Sequence, residues 1–195
     1  MTQPLRCPWA GPQQIYIDYH DQEWGRPLHD DRRLFELLVL EGMQAGLSWL
    51  TVLNKREAFR RAFQDFDPER VARYGEEDLA RLLQDPGIIR HWGKLSAAVE
   101  NARAVLRVQE RHGSLDHFLW SYVDGAPIVN HFASPAELPA STPLSAALSR
   151  DLKALGFRFV GPTTIYSFLQ AAGLVDDHMV WCPWHTENRR EGAPT

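Results

Sequence analysis

The stretch "LFELLVLEGMQAGLSWLTVLNKREAFRRAFQ", residues 34–64, decides the fold class. Apolar residues recur at Leu34, Leu37, Leu38 and Leu40/Glu41, then at Leu50, Leu53, Phe59 and Phe63. Spacings of three and four place each set on one face of an α-helix. Gly46 stops the first helix and Ser48 caps the second. One residue breaks the pattern. Glu41 falls seven after Leu34 and four after Leu37, on the apolar face. A carboxylate there needs a partner or a cationic ligand. A helix-end glutamate paired with a nearby arginine fits the same position.

Helical periodicity continues outward. Residues 67–74 and 76–83 read as short helices opened by Asp67 and Glu76, with Pro68 at a first helical position. "KLSAAVENARAVLRVQERHG", residues 94–113, is a long amphipathic helix closed by Gly113. Ser114 and Thr142 cap two more, and "GPTTIYSFLQAAG", residues 161–173, completes the set. Only "APIVNHF", residues 126–132, alternates as a strand would. The fold class is all-α. Residues 1–30 and 175–195 read as irregular, rich in Trp, Pro, Tyr and His. Segments that aromatic are costly to leave in water, so they are expected to be tied down.

The 195 residues fit one globular unit. A formal charge of −4 means that a nucleic-acid partner would need a local basic face. Basic residues do cluster between Lys55 and Arg111, a pattern that solvated helix faces also produce. No apolar run approaches the roughly 20 residues of a membrane span. Two cysteines 175 positions apart do not form a secreted disulfide framework, and the chain reads as cytoplasmic.

Three constellations carry chemistry. Cys7 is followed by His20, and His178 by Cys182, which together make the tetrahedral Cys₂His₂ set that structural zinc prefers. Two buried free cysteines with surface histidines meet the same spacing. "DPGIIRHWGK", residues 85–94, has the PG-apolar turn of a helix–hairpin–helix. There Gly87 lets backbone amides approach a phosphate, with Arg90 and Lys94 adding charge. Ile89 stands where the hairpin's second glycine usually is, and a plain inter-helix turn fits as well. Lastly, Trp9, Tyr16, Tyr19, Trp24 and Trp49 supply flat rings for a planar cation, or for an aromatic core.

"YIDYHDQEWG", "LFELLVLEGMQAGLSWLTVLNKRE", "DPGIIRHWGK" and "GFRFVGPTTIYSFLQAAGLVDDH" together resemble the 3-methyladenine-DNA glycosylase I family, in order from about Cys7 to Cys182. The resemblance implies a helix–hairpin–helix glycosylase fold, with the hairpin unit at about 76–110. It also implies a lobe built from about 1–30 and 143–185, joined by one structural zinc on Cys7, His20, His178 and Cys182. The base-recognition glutamate falls on Glu41 and the stacking tryptophan on Trp49, with Trp9, Tyr16, Tyr19 and Trp24 as further pocket aromatics. The loop that plugs the emptied duplex falls on Gly46 and Leu47, and hairpin contacts on Gly87, Ile89, Arg90 and Lys94.

The implied activity is excision of 3-methyladenine from damaged double-stranded DNA by a monomeric, monofunctional hydrolase. The alternative is a non-catalytic binder of alkylated DNA or nucleotides. A zinc hydrolase would need an open coordination position, which four good ligands would fill. Two departures stand out. Trp92 sits where a basic or small polar residue is expected, and the tail 183–195 brings His185 as a rival metal ligand. Asp116 lies in the region where related architectures carry a sugar-stabilising aspartate, and it receives no role.

Overall fold

In the computed structural model, which describes residues 5–189, the chain is helical almost throughout, as the periodicity predicts. The helices are α1 (Gln14–Gln22), α2 (Asp31–Gln44), α3 (Trp49–Ala62), α4 (Pro68–Val71), α5 (Glu76–Gln84), α6 (Trp92–His112), α7 (Leu115–Trp120), α8 (Pro143–Ala154) and α9 (Pro162–Ala171). The caps are those the sequence predicts: Ser48 Oγ accepts from the Thr51 amide, and Thr142 and Ser114 act likewise on α8 and α7. Among the described residues the strands are β1 (Ile128–Val129) and β2 (Val175–Asp176), paired in parallel, so "APIVNHF" contributes one two-residue ladder. No described helix is long and apolar enough to cross a membrane.

Helix α2 is the axis of the fold. Every residue from Leu34 to Met43 is buried, and α3, α6, α7 and α9 all pack against it. A helix buried all round has no polar face, so phase alone does not single out Glu41. Glu36 is equally buried, and it is Glu36 that takes the arginine partner expected for a buried carboxylate. Arg56 Nε donates to Glu36 at 2.5 Å and its Nη1 to Glu23 at 2.8 Å, while Arg60 reaches Glu36 at 3.0 Å. This network ties α3 to α2 and to the residue that ends α1.

The N-terminal segment differs from its irregular reading. Residues Gln14–Gln22 form α1, preceded by a 3₁₀ turn at Pro8–Ala10. No side chain caps α1, and nine residues make a marginal helix in water. Packing supplies the stability: Tyr19 and His20 are buried, and Tyr16 Oη accepts the Leu50 amide at 2.9 Å from the start of α3. The segment after β2 proceeds by turns up to Arg189, as expected of an irregular end, and residues 190–195 lie outside the description.

Helices α5 and α6 flank the turn at residues 85–91. His91 caps α6 by accepting the Lys94 amide, and Lys55 Nζ donates to the carbonyls of Pro86 and Gly87 at 2.9 and 3.2 Å, fixing the turn against α3.

Candidate functional site

A cavity of about 450 Å³ opens between α1, the last turn of α2, the first turn of α3 and α9. Its walls bring together all six residues that the sequence assigns to it: Trp9, Tyr16, Tyr19, Trp24, Glu41 and Trp49. The rings interlock edge to face around Trp9 and at a tilt between Tyr19 and Trp49. Trp9 stands 4.9 Å from Trp24 and 6.0 Å from Tyr16, and Tyr19 stands 5.5 Å from Trp49. Gln44, Ser48, Leu138, Ser167 and Gln170 complete the lining. Sequence reasoning missed these five, because polar residues on a helix face and a lone leucine in a long loop carry no periodic signal.

The polar groups of this cavity are under-satisfied. Glu41 is 5% exposed, and unlike Glu36 it pairs with no cation among the described residues. Burial pushes its carboxyl up to about 8. Tyr19 Oη and Trp49 Nε1 are buried without hydrogen-bond partners among the described residues. Burial raises the Tyr19 hydroxyl well above its ordinary range, with the Glu41 charge adding to the effect. Buried groups of this kind are normally paired, and unpaired ones cost about 1–3 kcal/mol each. A cavity lined by a lone carboxylate, two idle donors and five aromatic rings matches a flat, cationic, hydrogen-bonding guest. A second cavity, of about 460 Å³ beyond Tyr19, is lined by Arg26, Arg33 and Arg189, with Glu23 already held by Arg56. Its guanidinium groups would repel such a guest.

Behind the aromatic wall lies the cysteine–histidine cluster. Ligand atoms of Cys7, His20 and Cys182 lie within 4.8 Å of one another. His178 lies beside this trio, outside that spacing: its ring is 5.0 Å from that of His20, its Nε2 is buried without a partner among the described residues, and its Nδ1 is held by Asp176 Oδ1 at 2.7 Å. His20 is arranged alike, with Nδ1 on Asp21 at 2.8 Å and Nε2 at 3.7 Å from Cys182 Sγ. Carboxylates on Nδ1 leave the His178 Nε2 unpartnered among the described residues and the His20 Nε2 facing a thiol, and such carboxylates are the usual outer support of metal-bound histidine. Burial lowers His178, keeping it neutral. The hydrogen bond between the two cysteines draws the Cys182 thiol down towards thiolate, against its burial, and together with burial pushes the Cys7 thiol up, so the pair shares one proton that a bound metal would displace. Neutral imidazole and thiolate are the forms a metal binds, so the donor set fits a closed tetrahedral ion. Gly25, at φ +69°, makes room for the His178 ring. A Cβ there would stand 2.6 Å from His178 Cε1.

His185 is not a rival ligand. Its Nε2 is 2.9 Å from the Asn130 carbonyl and its Nδ1 accepts the Glu187 amide. Asp116 pairs with His29 at 2.8 Å.

The residues assigned to DNA fare unevenly. Gly46 and Leu47 lie exposed in the loop between α2 and α3, with Leu47 43% exposed. Arg90 is exposed and Ile89 half-buried, and their amides donate to no group among the described residues. The Gly87 amide, in contrast, donates to Asp85 Oδ1 at 2.7 Å. Lys94 corrects the sequence reading. Its side chain is buried, and Nζ donates to the carbonyls of Met43 at 2.8 Å and Ala45 at 2.5 Å. The ammonium satisfies carbonyls that the end of α2 leaves open, and so faces inward.

The methyladenine glycosylase family model matches residues 9–186. The DNA-3-methyladenine glycosylase of Haemophilus influenzae is 50% identical over 181 residues, covering 93% of this chain and 98% of its own. A crystal structure of 3-methyladenine DNA glycosylase I superposes with TM-score 0.91 at 53% identity, over 93% of this chain and all of its own. A tyrosine-to-phenylalanine variant of such an enzyme, in complex with 3-methyladenine, superposes with TM-score 0.89 at 44% identity, over 91% and 96%.

Proposed function

The chain belongs to the methyladenine glycosylase family, and from that premise we propose that it excises 3-methyladenine from alkylated duplex DNA by hydrolysing the N-glycosidic bond. The observation that carries this reading is Glu41: a buried carboxylate without a cationic partner, facing an aromatic slot with idle donors.

N3-methylated adenine is cationic while attached to the sugar, so its glycosidic bond is already weak and needs no strong acid. The nucleotide flips into the slot at a cost of a few kcal/mol. Stacking on Trp49 and the neighbouring rings, worth about 1–3 kcal/mol per base, offsets much of that. Ionised Glu41 accepts a hydrogen bond from the adenine edge and favours the cation, whereas unmodified adenine lacks the charge and gains less. The C1′–N bond breaks with its electron pair going to the base, which leaves neutral. Water adds to C1′ and gives its proton to solvent. Both lysines at the hairpin are held by carbonyls, Lys55 on those of Pro86 and Gly87 and Lys94 on those of Met43 and Ala45, in keeping with a monofunctional enzyme.

We assign the duplex-binding turn to a helix–hairpin–helix at residues 76–110, with the idle amides of Ile89 and Arg90 and the exposed Arg90 side chain meeting a phosphate. Leu47 would fill the gap left by the flipped nucleotide. A structural zinc is placed on Cys7, His20, His178 and Cys182. The two orphaned or thiol-facing Nε2 atoms and their carboxylate supports favour it. It would pin the segment after β2 to α1 and hence brace the aromatic wall.

Release of 3-methyladenine from methylated duplex DNA tests the reading. Wild-type protein is expected to release the base and Glu41→Gln to lose most of that activity. Tight binding without release would support the non-catalytic alternative.

A further inference from the structure

Phe159, in the loop between α8 and α9, is an exposed aromatic held in a backbone conformation that L-residues rarely adopt. Its φ is +56°, and its side chain is 40% exposed. A solitary exposed phenylalanine means little by itself. What sets this one apart is how firmly its neighbours are fixed. On one side, Asn101 grips Arg158 twice, with Oδ1 accepting the amide at 2.7 Å and Nδ2 donating to the carbonyl at 3.0 Å. On the other, Ser149 Oγ donates to the Val160 carbonyl at 2.6 Å. Asn101 and Ser149 are both buried, as are Phe157 and Val160. Two buried polar side chains thus clamp the residues flanking a left-handed phenylalanine whose ring gains little burial. Strain of this kind persists only where surroundings over-determine it, and it gathers at functional sites.

The location names the function. The Phe159 backbone passes so close to α2 that a Cβ on Gly42 would stand 3.3 Å from Phe159 Cβ. Gly42 directly follows Glu41. The same ring borders the cleft between α2 and α6 together with Met43 and Lys94, and Lys94 in turn holds the carbonyl of Ala45, two residues before Leu47. Phe159 therefore stands against the last turn of α2 and the first turns of α6, four residues before Thr163. Thr163 and Thr164, just beyond it on α9, line the outer mouth with Glu41 and Leu47.

We propose that Phe159 is a second duplex contact, separate from Leu47. Its ring stacks on a base next to the flipped nucleotide, and the exposed Arg158 beside it meets the backbone. This rests on the glycosylase reading and adds to it a residue that holds the opened duplex without touching the excised base.

Phe159→Gly is the informative variant, because glycine adopts φ +56° without strain. Its melting temperature is expected to be no lower than wild type, and its affinity for free 3-methyladenine to stay within twofold. Excision from methylated duplex at sub-saturating DNA is expected to fall about tenfold or more, the scale of one lost base stack. Phe159→Tyr keeps the aromatic face and should retain activity. Excision by Phe159→Gly within twofold of wild type overturns the proposal. So does a parallel loss of free-base affinity, or a melting temperature lowered in both Phe159→Gly and Phe159→Asn, since either makes the ring a structural element. Wild-type protein that releases no base would instead overturn the glycosylase reading, and this inference with it.

Discussion

Asp176 holds His178 by its Nδ1 at 2.7 Å and leaves the Nε2 of the same ring buried without a partner among the described residues. Burial alone would raise the Asp176 carboxyl, but donors from His178 and Thr186 outweigh it and keep the group ionised. An ionised, fixed carboxylate on one nitrogen is how a metal-binding imidazole is oriented. Purified protein is expected to carry one zinc per chain. Cys182→Ser should lose it with a marked fall in melting temperature, and Asp176→Asn should weaken binding about 10–100-fold. Elemental analysis and chelator competition read this out. Metal-free wild type with unchanged stability on zinc addition would remove the staple.

Glu41 makes stability depend on pH in an unusual direction. In the unfolded chain its carboxyl ionises near 4.5, whereas in the fold burial pushes it up to about 8. Between those values the folded state holds the proton that the unfolded state has released, so this group's contribution worsens as pH rises and levels off above 8. Glu41→Gln should therefore be more stable than wild type at pH 8 by a few kcal/mol, with the gap closing towards pH 4. Urea midpoints across that range measure it. A gap independent of pH would show that Glu41 does not titrate as a buried acid. For a cationic substrate the ionised form is the useful one, so kcat/KM should rise with pH up to about 8.

Lys94 and Arg90 separate structure from DNA binding. Lys94→Met keeps the buried stem and deletes the bonds to Met43 and Ala45, leaving carbonyls at the end of α2 unsatisfied. It is expected to cost about 1–3 kcal/mol of stability with no change in the salt dependence of DNA affinity. Arg90→Ala should do the reverse: normal stability, and a log–log salt slope shallower by about one. A shallower slope for Lys94→Met would restore it as a phosphate contact.

Arg56 neutralises a buried glutamate. Removing it in Arg56→Met strands Glu36 with Arg60 as its remaining cation, at an expected cost of about 3–5 kcal/mol. Adding Glu36→Gln should recover part of the loss, and a double-mutant cycle measures the coupling. Additive effects would mean that the pair contributes nothing of its own.

Periodicity, capping residues and glycine stops are local, so the helices from α2 to α9 are legible in the sequence. Leu34, Leu37 and Leu38, Ser48, Thr142 and Gly113 say where helices run without reference to anything distant. The sequence also marked Glu41 and the five pocket aromatics, since a carboxylate among apolar residues and a surplus of rings near one end are visible in one dimension. Which carboxylate is left alone is set by contacts between helices. Glu36 and Glu41 lie on the same buried helix five residues apart, and what separates them is that Arg56 and Arg60, carried on α3, reach the first and not the second. Likewise α1 forms because α3 and the aromatic wall pack against it, and Lys94 turns inward because the end of α2 offers it open carbonyls. Pairing and burial are decided by groups that meet only once the chain has folded, and local patterns cannot encode them.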